Sequence, residues 1–125
     1  MITVSLEEIL SALPAIEKLS DLSFNGADAF EIARLIRELD KEVQLFNQKR
    51  EELVNKYCER DKEGNILIED NNVHIKSEYI QQYNDTLQDM LKVQIDINVA
   101  PLSIGILKNV MLSPKQALGL EQFFK

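Results

Sequence analysis

The sequence is poor in the residues that carry most catalytic and metal chemistry. Among its 125 residues there is one Cys, one His and no Trp. The lone Cys58 can form no disulfide within the chain, which fits a reducing compartment, the cytoplasm. One Cys and one His do not make a Cys/His zinc site. The four glycines are scattered, so no Gly-rich loop is present to cradle phosphates. No apolar run approaches the roughly 18 residues of a membrane helix. The opening Met1-Ile2-Thr3-Val4-Ser5-Leu6-Glu7-Glu8 has no basic stretch and no long apolar core, so it does not read as a signal peptide. Positive charge is scarce too. Fourteen Lys and Arg face 21 Asp and Glu, a net charge of -7. That balance argues against direct binding to nucleic acid or to an anionic membrane, both of which need clustered cations.

What is present is ordinary for a folded chain. Hydrophobic residues make up 45% and charged residues 28%. The whole chain, 1–125, reads as a single domain, long enough to bury a core without a disulfide or metal staple. No solenoid-type repeat is evident.

The pattern predicts an α+β fold that is mainly helical. Residues 2–4 suit a short strand. Ser5 with Glu8 three positions later forms a capping box, opening a helix from Leu6 to about Leu19. Its apolar face is Leu6, Ile9, Leu10, Leu13, Ala15 and Ile16. Pro14 lacks an amide and crowds the Leu10 carbonyl, so a kink or an early end is expected there. Ser23-Phe24-Asn25-Gly26 reads as a turn, with Asn and Gly tolerating positive φ.

The strongest element follows, a helix from about Ala27 to Arg60 with no Gly or Pro inside it. Ile32, Ile36, Leu39, Val43, Phe46, Arg50, Leu53 and Tyr57 are spaced alternately by four and three, a heptad seam with one polar member. At 1.5 Å per residue this helix is on the order of 50 Å long and organises the domain. Arg34 with Glu38 and Glu52 with Lys56 are i,i+4 pairs on its outer faces. The seam has two readings. In one, Ile36, Leu39, Val43 and Phe46 bury against the other helices of the chain. In the other, part of the helix pairs with a second chain and Arg50 sets the register.

Gly64 and its polar neighbours stop the helix. Ile66-Leu67-Ile68 and Val73-His74-Ile75, joined by Glu69-Asp70-Asn71-Asn72, read as a β-hairpin. Ser77 is the expected cap of a third helix, Glu78 to Leu91, with Ile80, Tyr83, Leu87, Met90 and Leu91 on its apolar face. Val93 to Val99 alternates apolar and polar residues, the mark of a half-buried strand. Leu102 to Leu107 is a second candidate strand, so a small sheet is expected here, joined by residues 2–4. Ser113-Pro114-Lys115-Gln116 is a strong helix start, and the helix should run to about Phe124. Leu118, Phe123 and Phe124 are its docking residues. Phe123-Phe124 and Met1-Ile2 are alternatively apolar partner surface.

Few constellations suggest chemistry. With Gly64 at the sixth position of a calcium loop, Glu59 falls at one, Asp61 at three, Glu63 at five, Ile66 at eight and Asp70 at twelve. The Gly and Ile positions agree with an EF-hand; the end ligands do not, and a hairpin stands where the second helix belongs. Asp61, Glu63 and Asp70 are the candidate ligands, and a small calcium-binding or enzymatic domain centred on residues 59–70 is the alternative reading. His74 lies in a strand pointing opposite to Val73 and Ile75, with no nucleophile or orienting acid at a telling spacing. Cys58 reads as a small semi-buried filler. Carboxylate pairs such as Glu51-Glu52 and Asp40 with Glu42 read as solvated helix faces. No catalytic residue, cofactor or metal site is assigned from this pattern.

The order of elements does resemble something known. A capped helix leads to Phe24-Asn25-Gly26, and a long helix ends in Lys56-Tyr57. Arg60-Asp61-Lys62-Glu63-Gly64-Asn65-Ile66, a hairpin and an amphipathic helix follow. Over about residues 5–92 this resembles a family of small proteins, without an assigned activity, encoded by tailed bacteriophages and prophages of Gram-positive bacteria. The resemblance implies no catalytic residues. It implies a phage or prophage origin, a place in the host cytoplasm or the virion, and an accessory role in virion assembly or in acting on a host protein.

The expectation is therefore a non-enzymatic protein that binds another protein, from the phage, the host or a second copy of itself. The acidic excess locates the docking face. Residues 28–63 are nearly balanced, with eight cations and ten acids. Residues 64–100 hold six acids against two cations. The candidate partner-binding residues are Glu69, Asp70, Glu78, Asp85 and Asp89, with Arg50 on the seam. Such a face suits a basic groove. A mimic of nucleic acid is disfavoured by the mixed signs on the long helix.

Overall fold

The computed structural model describes all residues, 1–125. Its elements in chain order are β1 (Ile2–Ser5), α1 (Leu6–Ser20), α2 (Gly26–Tyr57), β2 (Ile68–Glu69), β3 (Asn72–Val73), α3 (Ile80–Leu91), β4 (Gln94–Ile97) and α4 (Pro114–Leu120). Two short 3-10 turns, Ser77–Tyr79 and Ile104–Leu107, complete them. Four α-helices and two separate two-stranded antiparallel sheets make the fold α+β and mainly helical, as the sequence pattern predicts. No helix is long and apolar enough to cross a membrane. Contacts divide the chain into two units, Met1–Val43 with Lys92–Lys125, and Gln44–Leu91.

The first unit holds nearly all of the core. β1 pairs antiparallel with β4, setting Ile2 opposite Ile97 and Val4 opposite Ile95. Ile2, Val4 and Ile97 are buried, while Thr3 donates its hydroxyl to Asp96 at 2.7 Å on the outer face. The alternation read at Val93–Val99 is therefore a real half-buried strand, shorter by a few residues. The chain passes straight from β1 into α1 through the expected capping box. Ser5 Oγ accepts from the Glu8 amide at 3.1 Å, and Glu8 Oε1 accepts from the Ser5 amide at 3.0 Å. Pro14 does not end α1, which runs on to Ser20. Pro14 is exposed, so the Leu10 carbonyl it leaves unbonded lies on the side where water can reach it.

α2 starts one residue earlier than the turn reading requires. Asn25 is its cap: Asn25 Oδ1 accepts from the Asp28 amide at 3.0 Å, and Asn25 Nδ2 donates to Asp28 Oδ2 at 2.8 Å. Neither Asn25 nor Gly26 has a positive φ. Within the first unit α2 buries Ile32, Leu35 and Leu39 and half-buries Ile36 and Val43. Leu35 lies off the heptad seam and is nonetheless fully buried, so the stripe follows the ordinary 3.6-residue period of a core helix. The expected i,i+4 ion pairs are absent; the one ion pair on α2 is Lys41–Glu38 at 2.7 Å.

α4 packs closely on α1. A Cβ built on Gly119 would lie 3.5 Å from the Ala12 Cα and 3.5 Å from the Ser11 carbonyl oxygen. Small residues on both sides permit that approach, since Ala12 and Ala15 face it from α1. Lys18 Nζ adds a tie, donating to the Met111 carbonyl at 2.5 Å and to Gln116 Oε1 at 3.3 Å. The Ser113–Gln116 capping box forms as expected, but α4 ends at Leu120 rather than Phe124. Leu120, Phe123 and Phe124 dock, whereas Leu118 is 65% exposed.

Two expectations fail in this unit. Leu102 to Leu107 is not a strand: Ser103 Oγ accepts from the Gly105 amide and turns the chain into a 3-10 turn. Leu102 instead bridges Phe124, with its amide on the Phe123 carbonyl at 2.9 Å and its own carbonyl taking the Lys125 amide at 2.8 Å. The termini are not apolar partner surface either. Ile2, Phe123 and Phe124 are core residues, and only Met1 is exposed.

The second unit is a helix, a hairpin and a helix. α2 ends at Tyr57 because the Glu59 amide turns to the His74 carbonyl at 2.7 Å and Cys58 bridges Ile75. A tight turn follows. Gly64, at φ +85°, donates its amide to the Asp61 carbonyl, and Asp61 Oδ1 takes the Glu63 and Asn65 amides. β2 and β3 pair Ile68 with Val73 and Glu69 with Asn72, leaving a two-residue turn at Asp70 (φ 52°) and Asn71 (φ 65°). Positive φ at both central residues is what a type I′ hairpin turn requires. Ser77 does not cap the next helix. It opens the 3-10 turn, whose preceding residue, Lys76, makes no side-chain capping bond. The Tyr57 and Tyr79 rings meet at 5.1 Å between centroids, bringing the start of α3 to the end of α2.

Candidate interaction surface

The residues marked out by the sequence as a docking face all fall in the second unit, and all are exposed. The structure divides them into three places. Glu69 ends β2, where its Oε2 lies 3.4 Å from His74 Nε2. Asp70 stands at the tip of the hairpin turn, its carbonyl accepting from Asn72 Nδ2. Glu78, in the 3-10 turn, and Asp85 and Asp89, on α3, share one face. Asp85 and Asp89 are one turn apart on α3, and Glu78 lies about two turns before Asp85, counting the tighter 3-10 turn it starts from. Leu87 is two residues from each aspartate, so the acids point away from the apolar stripe of Tyr83, Leu87, Met90 and Leu91, which is half-buried. The flanks between are uncharged: Gln81, Gln82, Asn84, Thr86 and Gln88.

α3 has no buried residue at all, and Ile80 on its stripe is 46% exposed. Its helix therefore rests on a shallow contact, and most of its surface faces solvent. Arg50 is not part of the acidic face. It lies on α2, exposed, with its guanidinium 6.0 Å from the Phe46 ring centroid. That distance permits a cation–π contact on the stripe itself.

Sequence reasoning missed the opposite charge in the same unit. Leu45, Lys49 and Lys56 lie on one flank of α2, four and seven residues apart, and all three are exposed. Neither lysine has a carboxylate partner, since the one Lys or Arg pairing with a carboxylate is Lys41–Glu38. Lys56 lies over its neighbour's ring, 5.3 Å from the Tyr57 centroid. The i,i+7 spacing is visible in the sequence; the missing signal was that Glu52, four residues before Lys56, does not pair with it.

The loop at residues 59–70 is built as a turn rather than as a cation cage. Asp61 spends a carboxylate oxygen on two backbone amides, and Arg60 donates to the Gly64 carbonyl at 2.9 Å. Asp70, the twelfth position, sits in the hairpin turn beyond β2. No group of three His, Cys, Asp or Glu side chains converges on one point. An open cleft of about 420 Å³ next to this loop is walled by Glu59, Arg60, Leu67, Lys76, Ser77 and Glu78, charges of both signs. Cys58 is buried, its Sγ 3.9 Å from the Asn55 carbonyl, which places it as packing. Comparison of the chain with protein-family models, with curated proteins and with solved structures finds no match.

Proposed function

We propose that the chain is a non-enzymatic protein-binding protein of phage or prophage origin, acting in virion assembly or on a host protein. α3 and the hairpin before it supply the docking face. One observation carries this reading: α3 buries none of its residues, yet it collects Glu78, Asp85 and Asp89 on a single solvent-facing side. Ordering a helix costs backbone and side-chain entropy that little burial here offsets. A helix that stays largely uncovered and carries one sign of charge suits a complementary basic surface, where the charge speeds encounter and fixes orientation. The sequence resemblance over about residues 5–92 supports the phage setting.

The test is affinity capture with the tagged full chain, comparing wild type with the E78K/D85K/D89K variant. All three positions are exposed, so the fold should survive, as circular dichroism can check. The reading predicts a protein partner retained by wild type and lost, about tenfold or more, with the variant. Equal capture by both would sink the acidic face as the docking site.

A further inference from the structure

We infer that the basic surface which the α3 face fits is the flank of α2 on a second copy of this chain. The inference rests on the function proposed above and names its partner. The two faces match in sign and in spacing. Lys49 and Lys56 are seven residues apart on α2, and Glu78 and Asp85 are seven residues apart on the other face. Seven residues of α2 rise about 10.5 Å, and the span from Glu78 to Asp85, which begins in the 3-10 turn, rises about 11–12 Å, so the two spacings still agree to within about 1 Å. With two helices antiparallel, Lys49 falls opposite Asp85 while Lys56 falls opposite Glu78. The same register sets Glu52, the one acid of the α2 flank, against Gln82, whose amide can donate to it. Asp89 lies one turn beyond Asp85, and Leu45, 47% exposed, one turn beyond Lys49.

These charges are free within one chain. Neither lysine and none of the three acids takes part in an ion pair. They also do not meet inside one molecule through the stripe contact, because the acids stand on the side of α3 opposite its stripe, while the lysines flank the Phe46–Leu53 line of α2 by about a sixth of a turn. The pairing is consequently between copies, and it uses two different faces of the unit. Such a contact closes as a two-fold dimer if both pairs of faces meet at once, and otherwise runs head-to-tail into a ring or an open chain of copies. Exposed ion pairs are individually feeble, so the contact is weak in dilute solution and is strengthened where many copies are held together.

Sedimentation of the full chain at low salt, up to about 1 mM, tests this. The expected result is mass growing with concentration beyond the 14.4 kDa of one copy, and reverting to one copy at about 1 M salt. K49E/K56E and E78K/D85K should each weaken self-association about tenfold or more, and an equimolar mixture of the two should restore it, because each then offers the face the other has reversed. A wild type that stays at one copy overturns the inference, as does association that neither variant changes or that the mixture fails to restore. Foreign-partner capture lost with E78K/D85K/D89K but kept by K49E/K56E, with no self-association, would overturn the inference alone and leave the proposed function standing.

Discussion

Gly119 shows how one residue sets an interface. It sits where α4 packs on α1, and nothing in the local sequence pattern of the helix marks that contact. The structure gives a finer reading: a methyl group there would lie at ordinary contact distance, 3.5 Å from Ala12 and Ser11 and 4.0 Å from the Ala15 Cβ. Gly119→Ala should therefore be accepted, and it gains up to about 1 kcal/mol from helix propensity. Gly119→Leu has no room and should cost about 1–3 kcal/mol through overpacking. Chemical denaturation of both variants checks the pair, since a loss of stability with Ala would mean the helices are closer than described. Burial of Phe123 and Phe124 was hidden for a related reason. A terminal pair of aromatics looks like loose apolar surface until Leu102 is seen bonding to the backbone on both sides of them.

At the scale of elements, spacing rules were legible where the signal is local. Both capping boxes formed where Ser5–Glu8 and Ser113–Gln116 predict them, because each needs only four consecutive residues. Ser113→Ala should destabilise the protein by about 1 kcal/mol, with Ser113→Asp close to wild type, measured by thermal or urea melting. An unchanged midpoint in the Ala variant would mean α4 is held by Leu120 and Phe123 without its cap. Ser77 shows where the rule stops. The same residue type precedes a good amphipathic run, yet the chain arrives there from β3 in a 3-10 turn and no capping bond is made. Leu102–Leu107 failed as a strand because Ser103 turns the chain at once into a 3-10 turn, while Leu102 alone finds a bridge, to Phe124 in the C-terminal tail, which no local pattern reports.

For the whole molecule, core and charge are distributed unequally. Of the buried hydrophobic side chains, only Phe46 and Cys58 belong to Gln44–Leu91. That same stretch carries ten acids and six cations. The mainly helical α+β class was legible, because periodicity and turn residues are dense in this sequence. The location of acidic charge was legible as well. What it could not reveal is that α3 turns Glu78, Asp85 and Asp89 away from its apolar stripe while α2 leaves Lys49 and Lys56 unpaired, since both depend on which charges find partners in three dimensions. The central claim is that the outer face of α3 is where a protein partner sits. Photo-crosslinking in cells tests it most directly, with a photoreactive side chain placed at Asp85 and, as controls, at the equally exposed acids Glu17 and Glu121 of the other unit. The account predicts protein adducts from position 85 and few or none from 17 and 121; adducts from the controls with none from 85 would contradict it.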